Sequence, residues 1–229
     1  MSVKPIFLLS GGGPGDTRQL IEDYREVFAV FGTPSPKIAY VGTANNDNKL
    51  FFQFMKKPLI KAGAAEVKLA PISGKSINTD KVKKLLSEAD AIFLSGGEVE
   101  DGIDGLKKAG LDIFLTDLYL AGKPFMGVSA GAIMMGRHWV HWDKEDDDST
   151  ASLFDCLNFV PLLFDAHGEN EDWKELKCAL RLEGSGALGH GLSRGGFFSA
   201  DNNGSFTSYR NGPDIFKNDG GTIRRVDEG

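Results

Sequence analysis

The stretch "KPFMGVSAGAIMMG", residues 123–136, decides how this chain is read. An apolar run from Pro124 to Val128 stops at Ser129; Ala130, Gly131 and Ala132 follow, and the chain then turns apolar again. A short continuous apolar run suits a strand buried on both faces. A single hydroxyl among the smallest side chains suits a sharp strand-to-helix turn. "GVSAG" (127–131) matches G-x-S-x-G, in which small neighbours let the backbone pass close to itself and expose the serine at the mouth of a sheet. The plainer alternative is a helix N-cap serine with small residues for close packing. A buried strand before Ser129 and an apolar helix after it favour the exposed nucleophile.

Working outward, "PIFLLS" (5–10), "KIAYVGT" (37–43), "AEVKLAPI" (65–72) and "AIFLSGG" (91–97) are further buried-strand runs. Between them lie helical patterns: 17–32 with a stop at Gly32, 48–64 bent or divided at Pro58, 78–90 capped near Asn78 or Thr79, and 100–122 broken around Gly110. Asp16 or Thr17 is the cap expected for the first of these. The alternation predicts βαβ units and an α/β fold with a doubly wound, mostly parallel sheet. The C-terminal part predicts a helix in the second half of 167–184 and a small antiparallel extension, with "DNNGS" (201–205) as a hairpin turn. No linker or repeat divides the chain, so residues 1–229 are expected to form one domain.

Composition narrows the function. The net charge of -6 argues against a nucleic-acid binder. Cys156 and Cys178 lack metal-ligand spacing and read as free thiols in a reducing compartment. The apolar run Ile6–Leu9 is too short for a signal-peptide core, and no stretch approaches a membrane span. A cytoplasmic protein without metal or cofactor is expected. "GGGPGD" (11–16) is no dinucleotide loop: Asp16 stands where the third glycine would be, and no P-loop Lys-Ser/Thr follows.

In open α/β sheets, sites form beyond the carboxyl ends of strands. Three glycine-marked ends qualify: "SGGGPGD", with Gly12 and Gly13; "LSGGEVED", with Gly96, Gly97 and Glu98; and "GVSAG". A serine nucleophile needs a base. His167, after the apolar "FVPLLF", is the first choice and His190 the next; His138 and His141 lie in an aromatic segment suited to a rim or lid. The Ala130 N–H and a glycine N–H from "SGGE" would face the developing oxyanion. For the acid that orients the base, spacing leaves Asp143, Asp165, Glu169 and Asp201 open.

"GVSAGA" after a buried strand, "FLSGGE" one βα unit earlier and "DAHG" later in the chain resemble the peptidase E and cyanophycinase family of serine peptidases, over roughly residues 5–200. The resemblance implies a class I glutamine amidotransferase-like α/β fold, a flavodoxin-like three-layer arrangement. It implies Ser129 as nucleophile, His167 as general base, Gly96, Gly97 and Ala130 N–H as oxyanion hole, and Asp143 near the place of a catalytic aspartate. The implied partner is a small peptide or peptide-like substrate, with a homodimer allowed and no membrane or nucleic acid involved.

Several positions depart from the family pattern. Gly168 replaces an aromatic residue, "ENEDW" (169–173) replaces basic positions, Glu98 replaces an asparagine, and Arg194 occupies an acidic slot in "GLSRGG" (191–196). Peptidase E cleaves after an N-terminal aspartate. The runs "DKEDDD" (143–148) and "ENED" (169–172), if they face the cleft, would oppose an anionic substrate and favour a cationic or neutral one. The expected function is thus a serine hydrolase of the peptidase E type, with Glu98, Gly12, Gly13 and Arg194 as cleft residues. A catalytically silent or ligand-binding member of the same fold is the alternative.

Overall fold

The structure, a computed structural model, describes residues 3–11, 17–74, 76–144 and 147–226. In chain order its elements are β1 (Ile6–Leu9), α1 (Thr17–Phe31), β2 (Lys37–Val41), α2 (Lys49–Ala62), β3 (Glu66–Ala70), α3 (Thr79–Glu88), β4 (Ala91–Leu94), α4 (Val99–Ala109), α5 (Asp112–Leu120), β5 (Phe125–Val128) and α6 (Ala130–Ile133). The remainder comprises β6 (His138–Trp142), β7 (Ala151–Asp155), β8 (Leu163–Ala166), α7 (Lys174–Glu183), β9 (Leu188–Leu192), β10 (Phe197–Ala200), β11 (Phe206–Arg210), β12 (Asp214–Asp219) and β13 (Thr222–Val226).

A seven-stranded sheet in the order β11-β10-β1-β5-β4-β2-β3 forms the centre. Its β1, β5, β4, β2 and β3 are mutually parallel, and β10 and β11 add antiparallel to one side. The continuous apolar runs arise because both faces are covered. Along β1, Ile6 and Leu8 join the core beneath α3, α4 and α5, while Phe7 and Leu9 join the core beneath α1 and α2. That is the period-two alternation of a strand, with apolar residues required on both sides.

The α/β, mostly parallel architecture agrees with the sequence reading, and three details sharpen it. Asn78 is the cap of α3, accepting from the Lys81 N–H. Helix α2 is not divided at Pro58 and runs to its cap at Gly63, with Phe52, Met55 and Leu59 on its buried face. Thr17 is already helical; Asp16, Gly12 and Gly13 lie outside the described residues.

The C-terminal part is larger than a small antiparallel extension. Strands β10 and β11 return to the central sheet, joined by the expected turn, in which Asp201 Oδ1 accepts from the Asn203 and Ser205 N–H groups. Strands β13-β12-β9-β8 form a separate sheet, antiparallel except for the β8–β9 pair, and β6 pairs with β7 in a hairpin. The start of β8 is tied to the segment after α6 by the bond from Arg137 N–H to the Leu162 carbonyl (2.8 Å), and the end of β1 to the approach of β10 by that from Ser10 N–H to the Gly196 carbonyl (3.1 Å). Among the described residues no helix is long and apolar enough to cross a membrane.

Candidate active site

Ser129 sits between β5 and α6 with φ 53° and ψ −125°, a conformation that side-chain-bearing residues rarely adopt. Its neighbours enforce it. A Cβ on Gly127 would fall 2.4 Å from the Gly131 carbonyl oxygen, and one on Gly131 would fall 2.2 Å from that of Leu94. The strand, the turn and the next helix are therefore in backbone contact, and both glycines of G-x-S-x-G are dictated by space. The Ser129 N–H is tied to the Leu9 carbonyl at 2.9 Å, and its own carbonyl accepts from Ala132 and Ile133.

The histidine comes from the other sheet. His167 follows β8, also at positive φ (53°), and its N–H donates to the Leu192 carbonyl at 2.8 Å. Its Nε2 lies 2.7 Å from Ser129 Oγ. The residue's own backbone carbonyl favours the protonated ring, and the tautomer with its proton on Nδ1 would leave the Nε2 lone pair facing the serine. Desolvation lowers the His167 pKa below its ordinary value, and the Arg194 charge lowers it further; Glu169, that carbonyl and Glu171 oppose them. The imidazole is thereby poised neutral near pH 7.

Gly96 flanks the serine from the end of β4, and Gly97 follows it against the turn after β2. A Cβ on Gly96 would lie 3.4 Å from Ser129 Cβ, and one on Gly97 (φ +144°) would fall 2.0 Å from the Ala44 carbonyl oxygen. Among the described residues neither glycine N–H donates to a backbone carbonyl. Ala130 opens α6, so its N–H also has no partner within the helix. Glu98 is exposed beyond them, its N–H bonded to the Ala44 carbonyl at 2.7 Å.

The open acid positions resolve as follows. The Asp143 carboxylate is 82% exposed and lies 3.5 Å from His141 Nε2, so it serves the hairpin and not the His167 ring. Asp201 holds the β10–β11 turn. Asp165 is buried beside Gly168, its Oδ1 bonded to the Ala166 N–H and its Oδ2 unpartnered. Desolvation and the negative field of Glu175, Glu171 and Glu169 push its pKa up to about 8, so it carries a proton at neutral pH. Glu169 accepts from the Arg194 N–H (3.3 Å) and pairs with its Nε (3.7 Å). Arg194 is half-exposed and acts on His167 through its charge.

The other histidines are engaged elsewhere. His138 pairs with Glu183 and Asp155, and His141 with Glu100 and Asp143. His190 is buried, 3.4 Å from the Leu163 carbonyl and edge-on to Phe206. Both cysteines are free, their thiols pushed up to about 12 (Cys156) and about 11 (Cys178) chiefly by burial.

One group escaped the sequence reading. Asn45, in the turn after β2, donates from Nδ2 to the Gly96 carbonyl (2.8 Å) and to Ser95 Oγ (2.9 Å), and Ser95 Oγ meets Tyr40 OH at 2.5 Å. The end of β2 carries the single glycine Gly42 where the other three carry two or more, yet it is a carboxyl end of a parallel strand like them.

A serine on a strand-to-helix turn, facing a histidine across the carboxyl edge of a parallel sheet, defines an α/β protein with hydrolase geometry. The chain belongs to peptidase family S51, whose model matches residues 6–182, and it is a serine-type peptidase by that membership. Two uncharacterised peptidases are similar to it: one from Listeria innocua, 26% identical over 144 residues (61% of this chain, 68% of the relative), and one from Listeria monocytogenes, 28% identical over 104 residues (44% and 51%). Among solved structures, a peptidase from an acI-B1 Actinobacterium superposes with TM-score 0.71 at 16% identity, covering 99% of this chain and 95% of that one. A Listeria monocytogenes protein described as a peptidase E candidate superposes with TM-score 0.67 at 22% identity, covering 90% and 98%. Both confirm the fold.

Proposed function

We propose that the chain hydrolyses peptide bonds with Ser129 as nucleophile and His167 as general base. The observation that carries this reading is the 2.7 Å approach of Ser129 Oγ to His167 Nε2, with the serine held at φ 53° on the turn. Neutral His167 takes the Oγ proton as Oγ attacks the scissile carbonyl carbon. The oxyanion formed is met by the Gly97 and Ala130 N–H groups, with Gly96 lining the approach. His167 then gives the proton to the departing amine, the C–N bond breaks, and an ester on Ser129 remains. Water, deprotonated by His167, then attacks the ester carbonyl; the C–Oγ bond breaks, Ser129 Oγ takes the proton back from His167, and the acid is released. Asp143 has no part in this scheme. Glu169 and Glu171 favour the imidazolium that forms on His167, through their charge.

A fluorophosphonate probe with site identification by mass spectrometry tests the reading. Labelling is expected at Ser129, lost in Ser129→Ala, slowed about a thousandfold or more in His167→Ala, and unchanged within about twofold in Asp143→Asn, a surface change. A folded wild-type protein that takes no label overturns it in favour of a silent, ligand-binding member of the fold.

A further inference from the structure

Resting on that reading, we propose that Asn45 is the positioning residue of the oxyanion hole: its side-chain amide fixes the Gly96–Gly97 peptide so that the Gly97 N–H faces the carbonyl under attack. The Asn45 amide is oriented unambiguously. Its Oδ1 accepts from the Asn48 N–H at 3.1 Å, so Nδ2 is the atom on the Gly96 carbonyl. Ser95 Oγ reaches the same carbonyl at 3.2 Å and is itself held by Tyr40 OH and Asn45 Nδ2. Two donors from one side thus hold the Gly96 carbonyl.

Peptide planarity turns that restraint into a direction. Among the described residues no peptide bond is cis, so the carbonyl and N–H of the Gly96–Gly97 unit point opposite ways. A carbonyl drawn toward Asn45 sends the Gly97 N–H away from Asn45. Ser129 lies against Gly96, its Cβ 3.4 Å from where a Gly96 Cβ would be, so the freed N–H belongs to the serine side. The Gly97 backbone (φ +144°) lies close against the Ala44 carbonyl, with no room for a side chain. The hydrogen bond from Asn45 adds a directional restraint on the Gly96 carbonyl to that close packing. Preorganised donors of this kind are effective because they need no reorientation as the charge develops.

The test compares fluorophosphonate labelling rates of the full chain across pH. Asn45→Asp keeps the acceptor for Asn48 and the shape, but replaces the donor with an oxygen that repels the Gly96 carbonyl. Its plateau rate is expected to fall about tenfold to a hundredfold, short of the full loss of one oxyanion donor. The acid limb set by His167 is expected to stay where it is, since Asn45 does not touch the ring. Asn45→Ala is expected to show the same signature. Asn48→Ala is the control: this residue caps α2 by accepting from the Leu50 and Phe51 N–H groups. Losing that cap lowers the melting temperature and leaves the labelling rate unchanged.

Wild-type rates in both folded Asn45 variants, or loss of fold in both, overturn the inference and leave the reading of Ser129 standing. A wild-type chain that takes no label overturns that reading itself.

Discussion

The serine side and the histidine side of the site are built by different physics. Around Ser129 the walls are backbone: Gly127 on the Gly131 carbonyl, Gly131 on the Leu94 carbonyl, Gly97 on the Ala44 carbonyl. Around His167 the walls are side chains and charges: Asp165 and Trp173 under Gly168, Arg194 on Glu169, and positive φ at His167, Asp172 and Trp173. The first side is rigid because nothing in it can rotate away. The second carries buried carboxylate oxygens without partners, Asp165 Oδ2 and Glu169 Oε2, and is held by fields that pH and salt can change. Position is thus fixed sterically for the nucleophile and tuned electrostatically for the base.

The harshest way to break this comparison is to add one methyl group to each side. Gly131→Ala puts a carbon 2.2 Å from the Leu94 carbonyl oxygen and 2.7 Å from that of Ser95, at the centre of the parallel sheet. No rotamer relieves a clash with backbone, so the cost is expected to exceed about 3 kcal/mol, and the turn to be lost with it. Gly168→Ala meets Asp165 Oδ2 at 2.7 Å and Trp173 Cε3 at 3.0 Å, both side-chain atoms that can shift. It is expected to cost about 1 kcal/mol. Urea unfolding of the two variants measures the difference; equal losses would show that the histidine side is as sterically closed as the serine side.

The next effect separates charge from shape. Asp165 has a pKa of about 8 when folded, against an ordinary unfolded value near 4. Between those values the folded chain holds a proton that the unfolded chain gives up, so stability falls as pH rises across that window. It is greatest in this respect below the unfolded value and is lost progressively as pH climbs through about 8. Asp165→Asn removes the ionisation while keeping the acceptor for the Ala166 N–H. The variant is expected to be more stable than wild type at pH 8, by on the order of 1–3 kcal/mol, with the advantage gone near pH 4. Parallel unfolding curves for the two proteins across that range would refute the assignment of a protonated Asp165.

The same contrast explains what could be read in advance. The alternation of strands and helices was legible because both faces of the sheet are covered, which forces continuous apolar runs such as Ile6–Leu9 and Phe125–Val128. G-x-S-x-G was legible because backbone contacts admit only small residues at Gly127 and Gly131. His167 was legible as a histidine after an apolar run, although its strand belongs to the second sheet, whose existence no periodicity announced. The charged groups were not legible. Asp143, Asp165, Glu169 and Asp201 are equivalent in sequence, and only the fold assigns them to a hairpin, a buried pocket, an arginine and a turn. Asn45 was missed because the end of β2 lacks the paired glycines that marked its neighbours.

Arg194 gives the smallest of these effects and the finest test of the electrostatic side. Its charge is the second cause holding the His167 pKa down, after desolvation, and it also occupies one oxygen of Glu169. Replacing it in Arg194→Gln removes a cation from beside the ring and leaves Glu169 more exposed to it. Both changes favour the imidazolium, so the His167 pKa must rise. The base form then disappears at a higher pH, and the acid limb of the labelling profile moves up by about half a unit to one unit. Above pH 8 the imidazole is neutral in either protein, and the plateau rates should agree within about twofold. Because the guanidinium is half-exposed, the shift should shrink in high salt, as it would not for a change in packing. An acid limb that stays in place would mean that burial alone sets the base, and that the histidine side is less dependent on its charges than the geometry around Glu169 implies.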